Sequence, residues 1–294
     1  MVLTGCFRSD KPQPTSSPEP NVKAESWFYQ LQDIEIESLR RNQAEVLVID
    51  PSRGGDGDQA GFWTTEEIDS LHKQGKKVIA YFSIGEAEDY RDYWKQSWRE
   101  SPPPFLNRAN VEGGYANNYL VEYWHPDWQA ILLTRLEKLQ ALGFDGVYLD
   151  KVDSFEDWQS VDSSKSPDFL KEKMIELILT LGEAGRARSG SEFQLFLQNG
   201  WDLWSEPRLK SVVTGVGIEE FTLGWEGVDG QPTPPATKRR IEEALRTIPN
   251  WKVLIVDYPS RNSSQEDREL ARDEARRVGA FPFLTDRALK GEPQ

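Results

Sequence analysis

Eight short apolar runs, separated by amphipathic or polar stretches, constrain the fold of this chain more than any other feature. The runs are Trp27–Gln32, Val46–Asp50, Val78–Ser83, Gly146–Asp150, Gln194–Asn199, Thr214–Glu219, Lys252–Asp257 and Gly279–Leu284. Short apolar strands alternating with helical segments imply a parallel sheet with crossover helices. Eight such strands close an α/β sheet into a (β/α)8 TIM barrel. The helical segments carry their own signals. Thr64-Thr65-Glu66-Glu67 predicts a capping box, with Thr64 as N-cap, on a helix ending at Gly75. Trp128, Ile131, Leu132, Leu136, Leu139 and Leu142 recur on one helical face, and Gly143 stops that helix. Asp168–Ala187 and Thr237–Ile248 predict two more helices. Ser263-Ser264-Gln265-Glu266 predicts a second capping box, before a charged helix ending near Gly279. Residues 84–125 hold no clear strand and are expected to form an elaborated loop over the barrel mouth. The folded part is thus expected to be one domain, residues 26–290.

The first 25 residues read differently. Leu3-Thr4-Gly5-Cys6 resembles a bacterial lipobox, and Cys6 is the only cysteine in the chain. Residues 8–24 are rich in Pro, Ser and charge, a composition that stays extended because it cannot bury enough apolar surface. The expectation is lipidation at Cys6, a disordered tether, and an extracytoplasmic protein that is lipid-anchored to the cell envelope or secreted. No apolar run approaches the roughly 20 residues that span a bilayer, so the lipid is the expected membrane contact.

Composition removes several kinds of chemistry. The net charge of −14 argues against nucleic acid and suits a neutral or cationic ligand. One Cys and two His exclude an internal disulfide and make a Cys/His zinc site a poor reading. A Ser-His-Asp triad would need His72 or His125; His72 reads as mid-helix, and G-x-S-x-G is absent. Gly54-Gly55-Asp56-Gly57-Asp58 lacks the spacing of an EF-hand and reads as a plain loop. No metal and no cofactor are expected.

Barrel enzymes take their catalytic groups from the C-terminal ends of strands. Here those ends carry Asp50, Glu86 just beyond the third strand, Asp150 followed by Asp153, Asn199, Glu219-Glu220, and Asp257-Tyr258. A ring of carboxylates and an amide at one mouth suits hydrolysis of a glycosidic bond. One carboxyl protonates the leaving oxygen, and the other serves as nucleophile or as base for water. Strand alternation selects among them. In GVYLD, Val147 and Leu149 should face the helices, turning Gly146, Tyr148 and Asp150 inward. In TGVGIE, Gly215, Gly217 and Glu219 share the inward face; a bulge would exchange Glu219 for Glu220. Any one of these acids could instead cap a helix or pair with Arg. Among the aromatics, Trp124, Tyr123 and Trp201 could offer stacking faces to a sugar or could simply pack. Tyr81 reads as core with its hydroxyl reaching the cleft.

The segments VIAYFSIGEAEDYRDYW (78–94), NNYLVEYWHPDW (117–128) and GFDGVYLDKVDSFEDW (143–158), with WFYQLQ, VLVIDPS, FLQNG, GVGIEEF and LIVDY in the same order, resemble the endo-α-1,4-polygalactosaminidase family, glycoside hydrolase family 114. The resemblance covers residues 26–286. It implies a TIM barrel that cleaves α-1,4-linked galactosamine-containing polysaccharides of microbial biofilms, with an acid pair matching Asp150 and Glu219. Partly deacetylated galactosamine is cationic, which the negative chain would favour. Asp50, Tyr81, Glu86, Trp124, Asp153, Asn199, Trp201, Glu220 and Tyr258 are the expected substrate-binding positions. The competing reading is a non-catalytic carbohydrate-binding lipoprotein on the same barrel. Two inward carboxylates on one cleft would separate the two readings.

Overall fold

The computed structural model describes residues 26–53, 57–58, 61–107 and 117–290. Its strands in chain order are β1 (Trp27–Gln30), β2 (Val46–Ile49), β3 (Lys77–Ser83), β4 (Glu86–Glu88) and β5 (Asn118–Leu120). Then come β6 (Gly146–Asp150), β7 (Gln194–Gln198), β8 (Gly215–Glu219), β9 (Lys252–Asp257) and β10 (Phe281–Leu284). Eight of them form one parallel sheet in the order β1-β2-β3-β6-β7-β8-β9-β10. All eight predicted runs are strands, with ends that differ by at most two residues; β3 begins one residue earlier than expected, at Lys77. No ladder joins β1 to β10 among the described residues. Side chains close that seam instead: the Trp27 indole N–H donates to Phe281 O at 2.8 Å, and the Phe28 and Phe283 rings meet edge to face at 5.5 Å.

The helices are α1 (Ile36–Arg41), α2 (Thr65–His72), α3 (Pro126–Leu142), α4 (Ser154–Val161), α5 (Pro167–Ser189), α6 (Pro235–Leu245) and α7 (Gln265–Arg277). Thr64 and Glu67 form the expected reciprocal capping box on α2. α3 starts with Pro126 in the first turn and stops at Gly143, whose φ of 101° suits a residue without Cβ. The second capping box sits one residue later than expected. Ser264 caps α7 and Asp267 reaches back, because the Ser263 hydroxyl already accepts the Ser260 N–H. The segment 84–125 is also corrected: β4 and β5 pair as a short antiparallel ladder, Glu86 opposite Leu120. α1 and α4, only six and eight residues long, gave too little periodicity to be read in advance.

Alternation works as expected on the wall facing the site. Val147 and Leu149 are fully buried on the helix side. Tyr148 points inward, its ring 5.5 Å from Tyr29 and 6.4 Å from Phe196. Gly217 is needed there, since a Cβ would come within 1.6 Å of the Tyr148 hydroxyl. No helix among the described residues is long and apolar enough to cross a membrane. Cys6, the lipobox-like start and Gly54–Asp56 lie outside the described residues.

Candidate active site

A cavity of about 570 Å³ opens at the C-terminal ends of the barrel strands. Asp150 from β6 and Glu219 from β8 both line it. Backbone geometry places them. Lys151, Asn199 and Glu220 directly follow the last residues of β6, β7 and β8, and all three have positive φ, at 60°, 55° and 59°. Such conformations cost free energy in residues other than glycine, and they concentrate at functional sites. Each turns the chain off its strand at once, leaving the last inward side chain at the rim.

The two acids are held by neutral donors. Asp150 accepts the Tyr81 hydroxyl at 2.5 Å on one oxygen and the Lys151 backbone N–H at 2.7 Å on the other. Glu219 accepts the Gln198 amide at 2.5 Å on Oε2 and the Tyr258 hydroxyl on Oε1. No ion pair to either is present among the described residues. Burial, relieved only in part by these bonds, pushes Asp150 up to about 6. Burial together with the charge on Asp150 pushes Glu219 up to about 7. Both acids thus sit above the ordinary carboxyl range, and the charge of Asp150 disfavours ionisation of Glu219.

Other expected positions divide. Tyr81, Asp153 and Asn199 line the cavity beside the acids. Asn199 accepts the Glu219 backbone N–H at 3.1 Å. Asp153 stands at the N-cap of α4 but makes no capping bond, and burial pushes its carboxyl up to about 6. Asp50 lines the cavity with both oxygens already engaged. It pairs with Arg91 at 2.9 Å and accepts the Ser52 hydroxyl and backbone N–H. Glu86 is not among the lining residues; it pairs with Lys151 at 3.2 Å. Glu88 is the acid of that run on the cavity wall, held by Tyr90 and Arg91. Glu220 points away to Arg287 at 2.7 Å, and Tyr258 stands behind Glu219 rather than on the wall. Trp124 packs edge-on against Trp158 and Phe169, away from the cavity. Trp201 also lies outside the lining. Of the two histidines, His72 pairs with Asp145 at 2.8 Å and His125 caps α3, both structural duties.

Sequence reasoning missed Tyr29, Gln198, Glu88, Arg91 and Lys151 on the wall. Gln198 carried a usable signal: it is the last residue of β7 and sits beside the Asn199 that was singled out. Tyr29 and Arg91 carried none, because their roles depend on Gln198 and Asp50, far away along the chain.

The model of glycoside-hydrolase family GH114 matches residues 8–294. The uncharacterised protein MJ1477 of Methanocaldococcus jannaschii is 38% identical over 240 residues, covering 79% of this chain and 66% of that protein. The chain thus spans just under two thirds of that relative's length. An uncharacterised Thermotoga maritima protein is 33% identical over 270 residues, covering 88% of this chain and 80% of that one. Among solved structures, the glycoside hydrolase domain of PelA from Pseudomonas aeruginosa has a TM-score of 0.67 at 21% identity, covering 92% of this chain and 96% of that one. Aspergillus fumigatus Ega3 in complex with galactosamine has a TM-score of 0.65 at 18% identity, covering 99% of each chain. At these identities the structural likeness speaks for the fold.

Proposed function

Given that the chain belongs to glycoside-hydrolase family GH114, we propose that it cleaves within a galactosamine-containing polysaccharide, with Asp150 and Glu219 as its two carboxyl groups. One observation carries the reading. Two inward acids from β6 and β8 share one cavity, both raised above the ordinary carboxyl range, and Glu219 is raised further by the charge on Asp150. A pair whose environments separate its two protonation steps suits one group to donate a proton and the other to act as base or nucleophile. Glu219, the last to ionise, is the acid; Asp150, ionised first, is its counterpart. A binding module would have no need of such a pair.

The substrate class rests on the family resemblance and on charge. A cationic glycan is drawn to a chain of net charge −14. Asp153 and Glu88 add carboxylates to the cavity wall.

The test is incubation of the purified protein with partly deacetylated galactosamine polymer and with its fully acetylated form, followed by mass spectrometry. The expected result is a ladder of amine-bearing oligosaccharides. Intact polymer from both would refute the assignment. Proton NMR of the first-formed anomer would then separate retention from inversion.

A further inference from the structure

Glu219 is held on each of its two oxygens by a different neutral donor. Oε2 faces Nε2 of Gln198 at 2.5 Å. Oε1 faces the Tyr258 hydroxyl. An amide NH2 only donates, so an oxygen held by it cannot carry a proton directed at that partner. The Tyr258 hydroxyl likewise donates to Oε1, and either oxygen can accept its one bond while holding a proton aimed elsewhere. The Gln198 amide is in turn held from the far side. Tyr29, on β1, donates its hydroxyl to Gln198 Oε1 at 3.2 Å. β1 lies four strands from β7 around a ring of eight, so this bond crosses the barrel. Both residues are buried, Tyr29 at 1% and Gln198 at 4% exposure. The opposite amide orientation would set Gln198 Oε1 against an ionised Glu219 oxygen, two acceptors with no hydrogen between them.

We propose that Tyr29 and Gln198 form a positioning pair for the acid. Tyr29 fixes the amide so that Nε2 always meets Oε2 of Glu219, and the acid is thereby held in one orientation at the cavity wall. This rests on reading Glu219 as the acid. In the step itself the Glu219 carboxyl proton passes to the glycosidic oxygen as the bond from that oxygen to the anomeric carbon breaks. The bonding pair stays with the oxygen, and Glu219 is left as a carboxylate. Oε1 keeps its bond from Tyr258 and Oε2 its bond from Gln198 throughout, so no hydrogen bond within the protein has to break. The pair also sets how readily the acid ionises, since the amide stabilises the charged form.

The test records kcat against pH for the wild type, Tyr29→Phe, Gln198→Leu and the double variant, with folding checked by circular dichroism. Loss of the amide donor raises the Glu219 pKa, so the basic limb of Gln198→Leu should move up by about one pH unit. Tyr29→Phe should move it the same way by about half as much, because its effect is relayed. The double variant should shift no further than Gln198→Leu alone, as expected when one residue acts only through the other. An unshifted limb in either single variant, or additive shifts in the double, would overturn the proposal. Titration of 13C-labelled glutamate carboxyls gives the same pKa without turnover; if Tyr29→Phe fails to fold, Gln198→Leu in that titration still decides whether the amide tunes the acid. Glu219→Gln keeps the two questions apart. Wild-type activity there would remove Glu219 as the acid, whereas an inactive Glu219→Gln with unshifted limbs in the other variants removes only the pair.

Discussion

Two groups of buried acids in this barrel meet different partners. Asp150 and Glu219 meet only tyrosine, amide and backbone donors, and both are pushed up. A few strands away Asp50, Asp58 and Glu88 meet Arg91 and Arg135. Arg91 bonds Asp50 at 2.9 Å and Glu88 at 2.7 Å, and Arg135 bonds Asp58 at 2.7 Å. Burial pushes Asp58 up, but the bonds and charge of Arg135, with the charge of Arg91, outweigh it and leave the carboxyl lowered. The residue type is the same in both groups. The partners differ: at Asp58 the guanidinium of Arg135 outweighs burial, whereas the neutral donors at Asp150 and Glu219 do not offset it.

The contrast breaks most visibly at Asp150. Asp150→Asn should lower kcat by about 10³-fold or more while leaving the melting temperature within a few degrees. Near-normal turnover would place Asp150 with the structural acids. Next in size is Arg135→Met, which leaves Asp58 buried without its main cation and should cost about 3–5 kcal/mol of stability in urea unfolding. The pH dependence has a defined sign. Asp58 is lowered in the fold, so its stabilisation is present above its ordinary pKa and fades as pH falls below that range. The gap between variant and wild type should therefore narrow in acid.

Smaller effects sharpen the comparison. Tyr81→Phe removes a donor to ionised Asp150, raising its pKa, and should cut activity roughly tenfold at pH 6 with less loss at higher pH. In the wild type, activity should fall below about pH 6 as Asp150 gains its proton and above about pH 7 as Glu219 loses its own. The smallest effect is that of salt. Raising ionic strength shortens the Debye length from about 30 Å at 0.01 M to about 8 Å at 0.15 M. kcat/KM on a cationic polymer should then fall by several-fold, with kcat little changed. An unchanged kcat/KM would show that the net charge plays no part in capture.

Much of this was legible in the chain. Eight apolar runs became eight strands, and a two-residue period turned Asp150 and Glu219 inward while sending Glu220 to Arg287. Glu86 and Glu88 show where such reasoning stops. They are two residues apart on β4, yet Glu88 lines the cavity and Glu86 lies behind Lys151. Trp124 shows the same for aromatics: an exposed-looking loop residue is taken up by Trp158 and Phe169 from the neighbouring helices.

By itself the sequence determined the strands, their inward faces and the two acids at the rim, because apolar periodicity is a local property that burial enforces residue by residue. Only the tertiary structure decided what each acid touches. Tyr29 reaches Gln198 across 169 positions of chain, and Arg91 reaches Asp50 across 41. Ring closure sets these meetings, and they determine which carboxyls face a guanidinium and which meet only neutral donors.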